Sequence, residues 1–119
     1  MGTALTPARI GYVDRNGRRI DRTTWRALST RPEYVVIASD VVGRTGRRVQ
    51  IVTIWLGLYL PTDTPPIFET LLHPIGSQRP RAWAWSFLEQ ARAGHRSVVG
   101  ELSAEHLARD GAGGAHRER

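Results

Sequence analysis

Four apolar runs, followed at once by a helical pattern, constrain the fold of this chain more than any other feature. The first two runs flank the turn Gly43-Arg44-Thr45-Gly46, and the third follows a loop that contains three prolines. Short apolar runs separated by turn signals predict β-strands, and here they predict an antiparallel meander. The runs are Tyr34–Val42, Val49–Leu58, Ile67–His73 and Arg81–Trp85.

The residues after Trp85 predict one helix that covers this sheet. Ser86-Phe87-Leu88-Glu89 has the pattern of a capping box, in which the serine and glutamate side chains bond free N–H groups at a helix start. Gly94 weakens the helix by about 1 kcal/mol relative to alanine, unless it allows close packing. The stripe predicted to dock on the sheet consists of Leu88, Ala91, His95, Val98, Val99 and Leu102.

The N-terminal part predicts a β-hairpin and a short helix. Arg9–Asp14 and Arg18–Ile20 can pair across Arg15-Asn16-Gly17, because Asn-Gly suits a tight hairpin turn. Asp21 can then cap a helix that runs to about Ser29, with Trp25 and Leu28 facing inward. Trp25 and Trp55 are expected in the core.

Together these patterns predict a single α+β domain over residues 9–109. Its architecture is a four-stranded antiparallel meander with a C-terminal helix packed on one face, preceded by a β-hairpin and a short helix. Residues 1–8 are expected to form a disordered lead-in. Residues 110–119, rich in glycine and alanine, are expected to form a disordered tail.

Composition narrows the classes of protein to consider. The chain has 119 residues and no cysteine, which excludes disulfides and thiolate metal sites. No segment has the pattern of a signal peptide, and no apolar run is long enough to span a membrane. These features predict a cytoplasmic protein.

The net charge of +6 is concentrated in the N-terminal part of the chain. Ten arginines and four acidic residues lie between Arg9 and Arg48, whereas seven of each lie between Val49 and Arg119. All 17 basic residues are arginine, which the codon usage of a GC-rich genome explains. The choice of arginine over lysine therefore carries no functional information, but its location does.

Several short motifs resemble those of small uncharacterised proteins encoded by phages and prophages of actinobacteria. The motifs are Tyr12-Val13-Asp14 with Gly17, Trp25 with Leu28, Ile54-Trp55-Leu56-Gly57-Leu58, Pro66-Ile67-Phe68-Glu69-Thr70, and Ala91-Arg92-Ala93-Gly94-His95 with Val98-Val99. This chain has Tyr59 where members typically have aspartate, and Leu71 where they tend to have methionine. The resemblance implies a phage-type accessory protein and no particular activity.

Two arginine-rich turns are the first candidate binding site. They share the pattern Arg-x-Gly-Arg-Arg, and we call them the first tip (Arg15, Arg18, Arg19) and the second tip (Arg44, Arg47, Arg48). Guanidinium groups grip phosphate with paired hydrogen bonds, so two tips on one side of the domain would form a patch for nucleic acid. The alternative, which the usual composition of exposed turns favours, is that both are ordinary solvated turns.

Two further groups of residues are candidates for chemistry. Trp83 and Trp85 share one face of a strand and could stack bases beside Arg81, although packing under the helix is the more usual role of such residues. Glu69 and His95 could form a carboxylate–imidazole pair, for which a structural hydrogen bond is the alternative to catalysis. The sequence contains no metal-ligand spacing and no cofactor motif, so neither a metal nor a cofactor is expected.

We therefore expect a non-enzymatic, phage-type accessory protein that acts by binding. The expected partner is nucleic acid or a nucleotide-like anion, held by the arginine tips. One alternative is a protein–protein adaptor that engages a host factor through the Tyr59–Pro66 loop and exposed strand edges. A small hydrolase using Glu69 and His95 is another. Because Val49–Leu58 becomes apolar on both faces, we also expect a homodimer.

Overall fold

Two antiparallel sheets form the framework of the protein. The computed structural model describes residues 10–44, 46–73 and 81–117, the last nine of these by backbone alone. The strands are β1 (Gly11–Val13), β2 (Arg19–Ile20), β3 (Val36–Val42), β4 (Val49–Trp55), β5 (Leu58–Tyr59), β6 (Phe68–His73) and β7 (Ala82–Trp85). One sheet has the order β3-β4-β6-β7 and the other the order β2-β1-β5. The predicted α+β class and four-stranded antiparallel sheet are confirmed.

Three helices accompany these strands in the described part of the chain: α1 (Arg22–Ser29), α2 (Pro32–Val35) and α3 (Leu88–Arg117). The predicted cap of α1 is confirmed, since Asp21 Oδ1 accepts a hydrogen bond of 2.7 Å from the N–H of Thr24. This bond lowers the pKa of the Asp21 carboxyl from its ordinary value. Among the described residues, no helix has both the length and the apolar character that crossing a membrane requires.

The sequence missed α2, because it predicted a strand from Tyr34. Proline is favoured in the first turn of a helix, and Pro32 starts a single helical turn before the chain extends at Val36. The short turn places Tyr34 against Trp55, with the two rings edge to face and their centroids 4.9 Å apart. A local proline preference therefore overrides the apolar pattern here.

The predicted strand Val49–Leu58 is also divided: β4 ends at Trp55, and Leu58 joins the other sheet, together with Tyr59, as β5. Gly57 has a φ of +68°, a conformation that other residues rarely adopt. The N–H groups of Leu56 and Gly57 both donate to the carbonyl of Ile67, at 2.8 and 3.1 Å. Beyond this bend, β5 pairs with β1, so the predicted N-terminal hairpin becomes a three-stranded sheet.

The start of α3 differs in detail from the predicted capping box. Ser86 Oγ donates to the carbonyl of Pro65 at 2.8 Å, and Gln90, not Glu89, accepts from the Ser86 N–H at 2.9 Å. The carbonyl of Phe87 accepts the first helical hydrogen bond, from Ala91. The serine is therefore used to fasten the helix start to the preceding loop.

The predicted stripe of α3 is confirmed as the face that packs on the four-stranded sheet. Ala91, His95, Val98 and Leu102 are buried, and Leu88 and Val99 are partly buried against the core. The backbone remains helical to Arg117, past residue 109 where the sequence predicts the domain to end. No proline follows Arg81, and nothing in the sequence therefore forces the helix to stop. The predicted lead-in, residues 1–8, lies outside the described residues.

A chain of buried hydrogen bonds, which we call the His95 chain, ties α3 to all four strands of the sheet. His95 Nδ1 lies 2.7 Å from Thr53 Oγ1, and His95 Nε2 lies 2.7 Å from Asp40 Oδ2. Thr53 Oγ1 lies 2.6 Å from Thr70 Oγ1, which accepts from Trp85 Nε1 at 2.9 Å. Thr53, Thr70 and His95 are almost fully buried, so these bonds satisfy polar groups that water cannot reach.

One arrangement of hydrogens satisfies every member of the His95 chain. The Asp40 carboxylate can only accept, so His95 donates from Nε2, and in the neutral ring Nδ1 is then an acceptor. Thr53 donates to Nδ1, Thr70 donates to Thr53, and the Trp85 indole donates to Thr70. A hydrogen on Nδ1 would leave one threonine hydroxyl without an acceptor within the chain. The geometry therefore assigns the tautomer with its hydrogen on Nε2.

Close packing against Trp85 explains why α3 contains a glycine at position 94. A Cβ on Gly94 would lie only 2.2 Å from Cζ2 of the Trp85 indole, whereas one on Gly100 of the same helix would meet no atom within 4 Å. Gly100→Ala should raise the free energy of unfolding by up to about 1 kcal/mol through helix propensity. Gly94→Ala should instead lower it, by about 1 kcal/mol or more, because overpacking outweighs that gain. Urea denaturation of both variants checks this, and equal stabilisation would refute the packing role.

The His95 chain predicts that substitutions at two neighbouring positions, His95 and Arg96, have very different effects on the free energy of unfolding. His95→Leu should lower the free energy of unfolding by about 1–3 kcal/mol, because the Thr53 hydroxyl loses its acceptor inside the core. Arg96→Leu, on the exposed side of the same turn, should change it by no more than about 0.5 kcal/mol. Denaturation midpoints measured by circular dichroism compare the two variants, and similar midpoints would contradict the role given to His95.

Candidate nucleic-acid interface and cleft

The first tip forms the predicted hairpin turn. Gly17 has a φ of +79°, and Asp14 Oδ1 accepts hydrogen bonds from the N–H groups of Asn16 and Arg18, at 2.8 and 2.9 Å. The Asp14 carboxylate is therefore used to shape the turn. The arginine side chains of the first tip extend from this turn to different parts of the protein, as the contacts of Arg15 and Arg19 show.

Arg15 fastens the first tip to the segment that leads into β3. Its guanidinium donates to the carbonyls of Glu33 at 3.0 Å, of Val36 at 3.4 Å and of Tyr34, and lies 4.7 Å from the centre of the Tyr34 ring. Its backbone N–H donates to the Tyr34 hydroxyl at 2.9 Å. Most donors of this predicted ligand-binding residue therefore serve the fold.

Arg19 lies across the three-stranded sheet. Its guanidinium is 4.6 Å from the centre of the Tyr59 ring on β5, which is the opposite edge strand of this sheet. The side chain passes over Gly11, where a Cβ would lie only 2.1 Å from Arg19 Nη1. The lack of a side chain at Gly11 therefore leaves room for a cation–π contact that keeps the charge at the surface.

Four other arginines of the N-terminal part are exposed, and we call them the α1 arginines: Arg18, Arg22, Arg26 and Arg31. Arg22 and Arg26 are one turn apart on α1, while Arg18 and Arg31 flank that helix and its preceding strand. Within the described residues, none of the four takes part in an ion pair. The tip motif does not identify Arg22, Arg26 and Arg31, although the four-residue spacing of Arg22 and Arg26 indicates that these two share one helix face.

The second tip lies at the far end of the large sheet. Gly43 and Gly46 have φ values of +104° and +87°, and Arg47 N–H donates to the carbonyl of Arg44 at 2.8 Å. Arg44 and Arg48 both interact with other residues. Arg44 also borders a shallow cavity beside Asp40 and His106.

The structure does not bring the two tips together. Arg15 bonds the carbonyl of Val36, the first residue of β3, whereas Gly43 follows Val42, the last residue of that strand. Seven residues of strand at about 3.3 Å each separate the tips by about 20 Å. A single patch formed by both tips is therefore absent, and each must be considered as a separate cationic surface.

Trp83 and Trp85 point toward α3 and are partly buried. Trp85 packs with the core cluster around Phe68 and Ala91, and Trp83 with the cluster around Ile51 and Val98. The guanidinium of Arg81 does lie over Trp83, at 5.2 Å from the ring centre, and its nitrogens are within 4 Å of Glu101 and Glu105. Packing under the helix is thus observed for both tryptophans, and contact with a base stays a prediction.

Glu69 and His95 lie on opposite sides of the sheet. Glu69 pairs with Ile54 and alternates with Phe68 and Thr70, whose side chains are buried under α3. His95 instead joins Thr53 and Asp40 in the order hydroxyl, imidazole, carboxylate. That order is also found in hydrolytic triads, but here the Thr53 hydroxyl is completely buried and only the carboxylate reaches the surface. A substrate cannot reach this hydroxyl in the folded protein.

A cleft of about 520 Å³ lies between the first tip, the loop after β5 and the start of α3. Phe87, whose side chain is 71% exposed, lies at the start of the helix. Asp63 on the loop has no hydrogen-bond or ion-pair partner among the described residues, whereas Glu89 is 3.2 Å from Arg92. The cleft is lined by Arg15, Asn16, Gly17, Tyr59, Thr62, Asp63, Pro65, Ile67, Ser86, Phe87, Leu88 and Glu89.

The described residues contain no group of three or more histidine, aspartate or glutamate side chains that could hold a metal ion. The site offers exposed guanidinium groups, the cleft, and the Asp63 carboxylate, which has no partner among the described residues. Comparison with family models, with curated proteins and with solved structures finds no match for this chain.

Proposed function

We propose that this protein is a non-enzymatic accessory protein, of the phage type that its sequence motifs resemble, and that it binds nucleic acid in the cytoplasm. The observation that carries the proposal is the group of α1 arginines, which are exposed and without ion pairs within the described residues. A cysteine-free composition and the N-terminal excess of positive charge support it.

The location of nearby carboxylates supports a polyanion as the partner. Asp14 accepts from backbone N–H groups of the first tip, and Asp21 accepts from the N–H of Thr24 at the start of α1. Both carboxylates are therefore engaged locally and leave the arginine side chains to interact with solvent. Exposed guanidinium groups arranged along one short helix can contact successive phosphates, and the release of counterions then drives binding.

The proposed interface uses one tip. Arg18 and Arg19 adjoin α1 in the chain, whereas the second tip is about 20 Å away along β3. We therefore assign phosphate contacts to the α1 arginines and Arg19. Arg15 would contribute its charge while it holds the first tip in place, and the second tip would form a separate and weaker contact.

Two pairs of arginines provide a matched test. Arg22→Gln with Arg26→Gln removes two charges one turn apart on α1, and Arg92→Gln with Arg96→Gln removes two charges with the same spacing on α3. Only the α1 pair should weaken binding of short oligonucleotides and reduce the slope of log affinity against log salt, by roughly 1.4–1.8. Fluorescence anisotropy at several salt concentrations measures both quantities.

Equal losses from both pairs would mean that total charge, and not this surface, controls binding. Absence of binding to single-stranded and double-stranded oligonucleotides at low salt would refute the nucleic-acid proposal. Circular dichroism of each variant establishes that the fold is retained.

A protein–protein adaptor is the second candidate function, and the face of the large sheet that points away from α3 favours it. Val52, Ile54 and Leu71 on this face are only partly buried, and Val41 on the edge strand is 60% exposed. Apolar side chains on a sheet face are a suitable contact for a second copy of the chain or for a host protein. We propose that the partner on this face is a second copy of the chain.

Light scattering coupled to size-exclusion chromatography tests this interface. The protein should have the mass of a dimer at micromolar concentration, and Val41→Lys should convert it to a monomer by placing a charge in the contact. Ile10→Lys, at a similarly exposed position before β1, is the matched control and should leave the dimer intact. A monomeric mass for the unaltered protein would refute the self-association.

A further inference from the structure

We propose that the cleft between the first tip and α3 receives one nucleobase of a bound single strand. This inference rests on the proposed function, which it makes more specific. The α1 arginines explain attraction to any polyanion, whereas the cleft provides a reason to prefer unpaired bases. Its volume of about 520 Å³ is in the range of pockets that hold compounds of nucleotide size.

The walls of the cleft are held in place by contacts from outside it. Arg15 binds backbone carbonyls around Tyr34, which fixes the first tip. Ser86 Oγ binds the carbonyl of Pro65, which fixes the loop against the start of α3. A cleft whose walls are already positioned loses little conformational entropy when a ligand enters.

Aromatic surface is available where a base would enter. Phe87 is among the most exposed large apolar residues described, at 71%, and Tyr59 is 39% exposed. Arg19 contacts the Tyr59 ring, so a cation lies beside the aromatic surface. An aromatic ring next to arginine is the combination by which single-strand binders hold a base and its phosphate.

The carboxylates of the cleft indicate which part of a nucleotide enters. Asp63 and Glu89 would repel a phosphate, so the phosphates should stay outside, near Arg18 and Arg19. A carboxylate accepts hydrogen bonds from an exocyclic amino group such as N4 of cytosine. Glu89 already lies beside Arg92, which leaves Asp63 as the residue that would read the base.

Two variants in the cleft and one control test this inference by anisotropy at near-physiological salt. Phe87→Ala should weaken binding of single-stranded oligonucleotides about fivefold or more, through loss of stacking, and leave duplex affinity and the salt slope unchanged. Leu107→Ala truncates an equally exposed residue of α3, the helix that follows Phe87, and should change neither affinity. Asp63→Asn should remove a preference for oligo-dC over oligo-dT at pH 7.5.

The outcomes separate this inference from the proposed function. If Arg22→Gln with Arg26→Gln weakens binding but Phe87→Ala leaves single-strand affinity unchanged, the cleft inference is refuted and the arginine surface stands. Equal losses of single-strand and duplex affinity in Phe87→Ala would also refute it. If the unaltered protein binds no oligonucleotide, both proposals fail, and the cleft becomes a candidate site for a protein segment.

Discussion

The His95 chain is the interaction on which the arrangement of this protein depends. A sheet with threonines at the centre of its covered face would pack poorly under an apolar helix, because two hydroxyl groups would lose water without gaining partners. His95 accepts a hydrogen bond from Thr53 and donates one to Asp40 at the edge of the sheet. The helix can satisfy these groups only in one position along the sheet. That position places Gly94 against Trp85 and the start of α3 against the loop after β5.

Tryptophan and arginine side chains then connect the smaller sheet to this core. Trp55 Nε1 donates to the carbonyl of Val13 at 3.1 Å, and Trp25 Nε1 donates to the carbonyl of Leu56 at 2.9 Å. With Arg15, these bonds fix the first tip relative to α3. The proposed binding surface therefore depends on contacts made far from any ligand, because they determine where the basic residues and the cleft lie.

Local sequence patterns predicted most of the helices and strands, whereas most contacts between these elements could not be predicted from the sequence. The alternation of Ile51, Thr53 and Trp55 and the spacing of Ala91, His95 and Val98 identified the two faces that meet. The predicted pairing of His95 with Glu69 is wrong, because His95 bonds Thr53 and Asp40. Phe68 and Thr70, on either side of Glu69, already signalled that it points away from the helix, but the position of Asp40 depends on the pairing of β3 with β4.

The candidate site was predictable to a smaller extent, because it joins residues that are distant in the chain. The similarity of the two arginine tips gave no information about the length of β3 between them. The most direct test of the account is an NMR titration of the ¹⁵N-labelled protein with a short single-stranded oligonucleotide. We expect shifted amide signals along α1, at Asp63 and around Phe87. Shifts confined to the second tip or to the sheet face that points away from α3, or none at all, would contradict the account.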